Sequence, residues 1–474
     1  MSKENELLAT ESIGKLFIKL SIPAILAQLV NLLYNIIDRI FIGRIDEVGD
    51  IALTGVGVCF PIIMFISAFA SLVGMGGAPK ASIAMGKGSK EEANKILGNS
   101  VILTLILAII LTTVILIFNK DLLYAFGASN QTISYATDYM GIYAIGTIFV
   151  MISIGLSAFI TCQGFSKYSM MCVVIGAMTN IILDPIFIFA FGLGVKGAAI
   201  ATIISQAVSA ILIIRFLLSK NSKLLLNKES MKLDFKIILS CIALGLAPFI
   251  MQSTESILNI CFNTSLQKYG GDVAVGAMTV CTSLMMFAML PLQGFTQGAQ
   301  PIISYNFGAQ NSIRVKKAFK LLFVTCLIYS FVYWLILMLF PKTLVSLFTT
   351  NEVLIDFAAK ALKIYMALVC IFGIQIACQQ TFIALGNAPI SLFLALLRKV
   401  FLLIPLIYII PLFMENKTNA VFLAEPIADL IAVTTTFIVF MFVFKKTMKK
   451  IETSKKEEVL LDENNRNKKF NENI

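Results

Sequence analysis

Residues 22–45 read IPAILAQLVNLLYNIIDRIFIGRI, with no charged residue before Asp38. An apolar run of this length crosses a hydrocarbon core about 30 Å thick at about 1.5 Å per residue. Lipid offers the backbone no hydrogen-bond partners, so such a run must be helical. Similar runs recur along nearly all 474 residues, of which 58% are hydrophobic and only 14% charged, against about 25% in ordinary soluble domains. The sequence therefore predicts an all-α integral membrane protein.

Twelve transmembrane helices are predicted along the chain. They fall at residues 15–43, 51–85, 94–118, 131–162, 166–191, 197–219, 235–266, 273–307, 315–340, 353–385, 389–413 and 419–444. The predicted regions are an N-terminal segment (1–14), an N-lobe of helices 1–6 (15–219), a linker (220–234), a C-lobe of helices 7–12 (235–445) and a charged, disordered tail (446–474).

The basic residues between the spans indicate an orientation. If the N-terminus is cytoplasmic, the outer loops hold six bases, one in each: Arg44, Lys120, Lys196, Lys268, Lys342 and Lys417. The inner loops hold thirteen: Lys87, Lys90, Lys95, Lys167, Lys220, Lys223, Lys228, Lys232, Lys236, Arg314, Lys316, Lys317 and Lys320. Basic residues concentrate in cytoplasmic loops, so both termini, the linker and the tail are predicted to be cytoplasmic. The net charge of +11 then needs no nucleic-acid partner.

The two halves resemble each other when displaced by about 220–225 residues. Pro23 in KLSIPAILAQLVNLLYNIID falls on Pro248 in ALGLAPFIMQSTESILNICFN, and Asp38 falls on Asn263. An even number of spans in each half gives parallel repeats related by an axis along the membrane normal, with a substrate expected between them near the midplane. The predicted fold is therefore two pseudo-symmetric six-helix bundles around a central cleft.

Polar side chains inside the spans are candidates for function, because a carboxylate at the centre of a spanning helix costs about 2.5–3.5 kcal/mol on insertion scales. Two stripes at helical spacing are predicted to face the cleft or a bundle interior: Gln28, Asn31, Asn35 and Asp38 on the first span, and Gln252, Glu255, Asn259 and Asn263 on the seventh. Gln293 and Gln297, beside Gly294, Gly298 and Pro301, are predicted to lie on a bent eighth helix at the cleft.

The stretch GAMTNIILDPI (176–186) places Asn180 and Asp184 one helical turn apart, before Pro185. Proline leaves a carbonyl without its backbone partner. Two carboxylates, an amide oxygen and the Thr202 hydroxyl suit Na⁺, or a carboxylate pair that holds one proton. The alternative is a buried hydrogen-bond network that only fixes helix packing.

Two further carboxylates, Glu425 and Asp429, lie four residues apart on the last span. Arg398 and Lys399 on the eleventh span are candidate partners, so a structural ion pair and a functional site both remain open.

Several classes of function lack their residues. There is no histidine, no HExxH or GxGD motif and no GxxxxGK[ST] phosphate-binding loop, which argues against an intramembrane enzyme and an ATP-driven pump. The nine cysteines are scattered through apolar segments and form no CxxC motif, so we interpret them as core residues. No cofactor is predicted besides a coupling ion, Na⁺ or H⁺.

Three stretches together resemble the multidrug and toxic compound extrusion (MATE) transporters over residues 12–445: IPAILAQLVNLLYNIIDRIFIGRI, NIILDPIFIFAFGLGVKGAAIATIISQ and LPLQGFTQGAQPIISYNFGA. The resemblance implies twelve helices in two lobes and export of cationic lipophilic compounds in exchange for Na⁺ or H⁺. It also implies an N-lobe cation site at Asp38, Asn180, Asp184 and Thr202, with Tyr139 a looser match, and a bending proline at Pro23.

One departure from the family pattern concerns the second lobe. Glu255 matches the acidic residue of the C-lobe cation site found in some members, but the tenth span, YMALVCIFGIQIACQQTFIALG, contains no carboxylate. Glu255, with Gln252, Asn259, Asn35, Asn31, Gln293 and Gln297, is therefore predicted to attract small organic cations. The expected function is antiport by a monomer in the bacterial inner or plasma membrane; the alternative is a flippase for a lipid-linked or amphipathic substrate.

Overall fold

The computed structural model describes residues 5–46 and 48–471, and the side chains of residues 7–46 and 48–454. Within these ranges the regular elements are helices, with no strand. The spanning helices are α1 (Ile13–Gly43), α2 (Gly49–Gly86), α3 (Lys90–Ile117), α4 (Ile133–Ile145 with Thr147–Cys162), α5 (Ser166–Ala190), α6 (Gly194–Leu217), α7 and α8 (together Phe235–Gly308), α9 (Ser312–Leu339), α10 (Glu352–Tyr365 with Val369–Ala384), α11 (Ala388–Leu412) and α12 (Lys417–Asn471).

The predicted twelve spans are confirmed. In the described part of the chain, nine helices are long and apolar enough to cross a membrane, and two bent pairs raise this number to eleven. The bends measure 60° in α4 and 47° in α10. The 74-residue helix Phe235–Gly308 contains the twelfth span, because its backbone leaves the helical region at Gly271, with φ of 62°. Glycine tolerates that left-handed conformation without a steric cost, which allows α7 to end and α8 to begin there.

The helices form two lobes, α1–α6 and α7–α12, that touch near one end of the bundle. We call this end the terminal face; α1, α3, α7 and α9 begin there. Close contacts between α2 and α7 join Leu72 to Gly245 and Gly76 to Cys241, and the end of α2 meets the end of α8 at Gly308. A Cβ on any of these glycines would overlap a backbone atom of the other lobe. The lobes therefore close on the terminal face by direct backbone contact.

We expect Gly245→Val to force the lobes apart at this face. The new side chain meets the Leu72 carbonyl, and overpacking of this kind costs about 1–3 kcal/mol, enough to raise the open population about tenfold. In a background in which Cys241 is the only cysteine, maleimide labelling reports the opening. Cys241 is 1% exposed at the same contact, so its labelling should become about tenfold faster when the open population rises. Gly57→Val is the control, because nothing lies within 4 Å of a Cβ there. Unchanged labelling of the Gly245 variant would contradict this closure.

Helix α1 is part of the N-lobe but also packs against the C-lobe. Near the terminal face, Phe17 and Leu20 lie in a buried cluster with Leu292 and Ile303 of α8. Near its other end, Ile42 packs in the main apolar cluster of the N-lobe. Pro23 lies inside the continuous helix between these two attachments, where α1 crosses Gly294 and Gly298 of α8. Helix α1 therefore connects the apolar cluster of the N-lobe directly to α8 of the C-lobe.

The segment predicted as a linker, 220–234, contains no helix and is fastened to the N-lobe. The Gln163 side-chain oxygen accepts hydrogen bonds from Ser222, Lys223 and Leu224. Asn99 of α3 accepts from the backbone N–H of Asp234 at 2.7 Å, and the Asp234 carboxylate caps the first turn of α7. Asp234 is therefore the residue at which the N-lobe ends and the C-lobe begins.

The tail differs from its prediction. Residues 446–474 were expected to be disordered because they are rich in Lys, Glu and Asn, but α12 continues through Asn471 and only 472–474 lie outside the described residues. Lys and Glu are good helix formers, and a helix already nucleated by the membrane span extends at little cost. Buried Met448 and Ile451 also attach the beginning of the tail to the cluster around α8 and α9.

Candidate cation site and polar cleft

The N-lobe contains a pair of buried carboxylates. Asp38 on α1 is 9% exposed and Asp184 on α5 is fully buried. Their carboxylates lie close to each other. Two like charges this close in a membrane interior repel and are poorly solvated, so the pair requires a cation or a proton to be stable.

The structure brings the other three residues of the predicted N-lobe site to the same place. Asn180 donates from its amide nitrogen to the Asp184 carboxylate at 3.0 Å. Tyr139 lies near Asp38 and near Thr202, whose hydroxyl donates to the Ala198 carbonyl at 2.9 Å. All three are buried, at 1%, 3% and 7% exposure. The predicted site is thus one cluster drawn from α1, α4, α5 and α6.

Three oxygens of this cluster are buried without a hydrogen-bond partner: Asp38 Oδ1, Asn180 Oδ1 and Asp184 Oδ2. Buried polar atoms are nearly always paired, so these three acceptors indicate a missing positive partner. Carboxylate and amide oxygens are the ligands that hard cations prefer. Carboxylate, amide and hydroxyl oxygens together form a hard-oxygen donor set, which suits Na⁺ or a proton better than a soft transition metal. Within the described ranges, no group of three or more His, Cys, Asp or Glu side chains is arranged to hold a metal.

A second layer of polar residues was missed by the sequence analysis. Tyr34, on α1, lies near Gln206 on α6. Gln206 also accepts a hydrogen bond from the Ser153 hydroxyl at 2.5 Å. The ring of Tyr143 stacks on that of Tyr139, with 6.0 Å between the centroids. The helical spacing of Tyr139 and Tyr143, four residues apart, was the available signal.

Irregular helix turns flank these residues. The α-helical part of α5 ends at Pro185 and is followed by a π-helical turn, Ile186–Ala190. Another π-helical turn, Ile152–Leu156, holds Ser153 on α4. Proline removes a backbone donor next to Asp184, and π-turns redirect side chains by inserting an extra residue. Both irregularities therefore set the direction of polar side chains in the N-lobe.

The predicted substrate residues form polar faces on three helices beyond the terminal-face contact. Gln252, Glu255, Asn259, Asn35 and Gln293 are exposed, whereas Asn31 and Gln297 are half-buried. Exposed amides and carboxylates cannot face hydrocarbon without losing their hydrogen bonds. We therefore expect these faces to line a water-filled cleft between the lobes.

The predicted bend in the eighth helix stays a prediction. Within Phe235–Gly308 only Gly271 departs from helical φ/ψ, and α8 continues through Pro291 and Pro301. Gly294 and Gly298 let the helix approach Ile25 and Ser21 of α1. The spacing of four residues, which keeps both glycines on one face, explains this contact.

The C-lobe charges are divided differently from the prediction. Arg398 binds both Glu425 and Asp429, each at 2.7 Å, in a buried triad. Lys399 does not join this triad and pairs with Glu255 instead. Adjacent side chains in a helix point about 100° apart, so the two bases take different carboxylate partners in this structure. The structure thus finds Glu255 paired, where the sequence analysis left it free.

Comparisons with known proteins agree with this arrangement. The family model described as MatE matches residues 23–186 and 248–409, one segment in each lobe. The multidrug export protein MepA of Staphylococcus haemolyticus (strain JCSC1435) is 28% identical over 363 residues, covering 77% of this chain and 79% of that protein. The protein of the same name from Staphylococcus aureus (strain N315) is 25% identical over 402 residues, covering 83% and 86%.

Solved structures share the fold. A structure described as MATE in the bent conformation superimposes with a TM-score of 0.89 at 23% identity, covering 95% of this chain and 100% of the other. Another, described as the outward-facing conformation of a multidrug resistance MATE family transporter of the MOP superfamily, gives 0.87 at 24% identity, covering 94% and 99%. At this level of identity the structural likeness concerns the fold alone.

Proposed function

Because the chain belongs to the MatE family of membrane transporters, we propose that it is a secondary antiporter that exports cationic lipophilic compounds in exchange for Na⁺ or H⁺. The observation that carries this function is the buried pair Asp38 and Asp184, each with an unpartnered oxygen, in which Asp38 lies on α1, the helix that packs against both lobes. The relatives described as multidrug export proteins support the same class of transport.

Coupling operates through α1. A cation or proton that enters from the side opposite the terminal face neutralises Asp38 and Asp184 and removes their repulsion. Helix packing around Asp38 then changes, and α1 passes this change through Pro23 to the segment that packs against α8. Only a differential affinity of a few kcal/mol between the two lobe arrangements is needed to reverse their populations.

Substrate binds in the cleft between the lobes. Asn35, Gln252 and Asn259 offer exposed amides, and the Glu255 carboxylate, 62% exposed, provides the negative charge that attracts an organic cation. Exposed apolar side chains nearby supply the rest of the contact, as in other adaptable binding surfaces. A pocket of this kind discriminates by charge more than by shape.

The terminal face is assigned to the cytoplasm, following the excess of basic residues in its loops. The closed contact between the lobes then lies on the cytoplasmic side, so the conformation is outward-facing. The protein acts as a monomer in the bacterial inner or plasma membrane, with no resident cofactor. The flippase alternative gains nothing from the relatives, which are described as multidrug export proteins.

Efflux of ethidium from proteoliposomes under an imposed Na⁺ gradient or pH gradient tests this function. We expect efflux under one of the two gradients, and the active gradient identifies the coupling ion. Liposomes without protein and liposomes without a gradient are the controls. Absence of gradient-driven flux in both experiments would refute antiport of organic cations.

A further inference from the structure

The C-lobe has an unequal set of charges where α7, α11 and α12 meet. Two bases, Arg398 and Lys399, lie among three carboxylates, so one negative charge is left over. Arg398 is shared between Glu425 and Asp429, and that triad holds the surplus. The pair of Lys399 and Glu255, by contrast, is balanced. Surplus charge in a low-dielectric region attracts any nearby cation strongly.

The balanced pair is asymmetric in its exposure. The Lys399 side chain is only 4% exposed, whereas that of Glu255 is 62% exposed. The Lys399 ammonium also donates to the backbone carbonyl of Met251 at 3.1 Å. A cation in the cleft can therefore reach the carboxylate directly, but it finds that carboxylate already neutralised from the protein side.

The Lys399 ammonium has a second pair of candidate partners, Glu425 and Asp429. Arg398, the residue beside it on α11, binds both Glu425 and Asp429, so these two carboxylates lie near the part of α11 that carries Lys399. Lysine has a flexible four-carbon stem and a point charge, so its head group can change partners without movement of the backbone. It also lies in the π-helical segment Leu397–Leu403 of α11, a geometry frequent at functional sites.

We propose that Lys399 is a mobile internal counter-ion and the residue that sets the affinity of the cleft for organic cations. A substrate cation that binds Glu255 displaces the ammonium, which moves toward Glu425 and Asp429 and cancels their surplus charge. This proposal rests on the cation-export function above. It gives the C-lobe a charge exchange that uses the protein's own lysine in place of a bound ion.

Two opposite effects on ethidium affinity follow. Lys399→Met removes the competitor, so ethidium should bind about fivefold more tightly, as expected for loss of a partly exposed ion pair. Asp429→Asn removes the surplus charge that receives the displaced ammonium, so binding should weaken about threefold, although Asp429 is buried and paired with Arg398. In the double variant, no ammonium is displaced and the effect of Asp429→Asn should vanish.

The experiment is a double-mutant cycle on the full chain in lipid nanodiscs, with ethidium binding measured by fluorescence anisotropy. Nile red, an uncharged dye, is the matched probe and should bind all four proteins equally. Unchanged or weaker ethidium binding by Lys399→Met, or effects that simply add in the double variant, would overturn the proposal. If the Met variant does not give monodisperse protein, Lys399→Gln replaces it with the same expectations.

The ethidium binding cycle and the proteoliposome efflux assay measure binding and transport separately. Absence of gradient-driven efflux by the wild-type protein would refute the antiport function. The double-mutant cycle would still be interpretable, because it measures binding at equilibrium without a gradient. Intact efflux together with an additive cycle refutes the role of Lys399 alone.

Discussion

Asp184→Asn should reduce gradient-driven ethidium efflux about 100-fold, in the upper part of the usual range of coupling free energies, about 1–3 kcal/mol. The amide keeps the size of the side chain but removes the charge that binds the coupling cation. Asp38 then has no like charge beside it, so the entering cation no longer changes the packing of α1. Efflux from proteoliposomes under the active gradient, measured beside the wild type, gives the ratio directly.

Asp138→Asn is the matched control for this variant. Asp138 lies on the same lobe and undergoes the same chemical change, but it is 40% exposed and pairs with Lys196 near the membrane surface. Surface ion pairs contribute about 0–1 kcal/mol, so its efflux should stay close to that of the wild type. Full efflux by Asp184→Asn would reduce the cluster around GAMTNIILDPI to a packing network.

Arg398→Met should cause the largest loss of stability in the C-lobe. The substitution leaves Glu425 and Asp429, which are 5% and 2% exposed, without their cation. Removing one partner of a buried ion pair costs about 3–5 kcal/mol. We expect a clear fall in the midpoint of thermal unfolding, followed by intrinsic fluorescence in detergent.

Two comparisons separate charge from packing in this case. Arg215→Met, at an exposed position on α6, should change stability by less than about 0.5 kcal/mol. The triple variant Arg398→Met, Glu425→Gln, Asp429→Asn removes the whole triad, and such replacements are often neutral or stabilising. A triple variant as unstable as the single one would show that Arg398 acts through its contact with the Phe372 ring, 4.7 Å away, and not through charge.

The fold was predictable because its signal is long and repeated. Twelve apolar runs and the match between Pro23 and Pro248 were sufficient to give twelve helices in two lobes. The 60° bend in α4 and the join of α7 to α8 through Gly271 were not predictable. Hydropathy measures how apolar a segment is, and it carries no information on helix direction.

The N-lobe cluster was predictable for a different reason. Carboxylates are rare within spans, so Asp38 and Asp184 were conspicuous, and helical spacing added Asn180. Partner choice in the C-lobe was only partly predictable: the sequence indicated that Arg398 and Lys399 are near carboxylates, but not that they take different ones. That division depends on the rotation of α11 against its neighbours, which is set by packing across the lobe.

Asp234 also links the two lobes at the start of α7. Its backbone N–H donates to Asn99 of the N-lobe and its carboxylate accepts from the first turn of α7, so we expect α7 to rotate about this residue when the lobes move. From Phe235 to Gly270, α7 is about 50 Å long at about 1.5 Å per residue. A rotation of α7 by about 10° about Asp234 moves the far end of the helix by about 9 Å, which is close to the distance between the axes of packed helices. A small rotation at one membrane surface thus opens or shuts a gap as wide as a helix at the other.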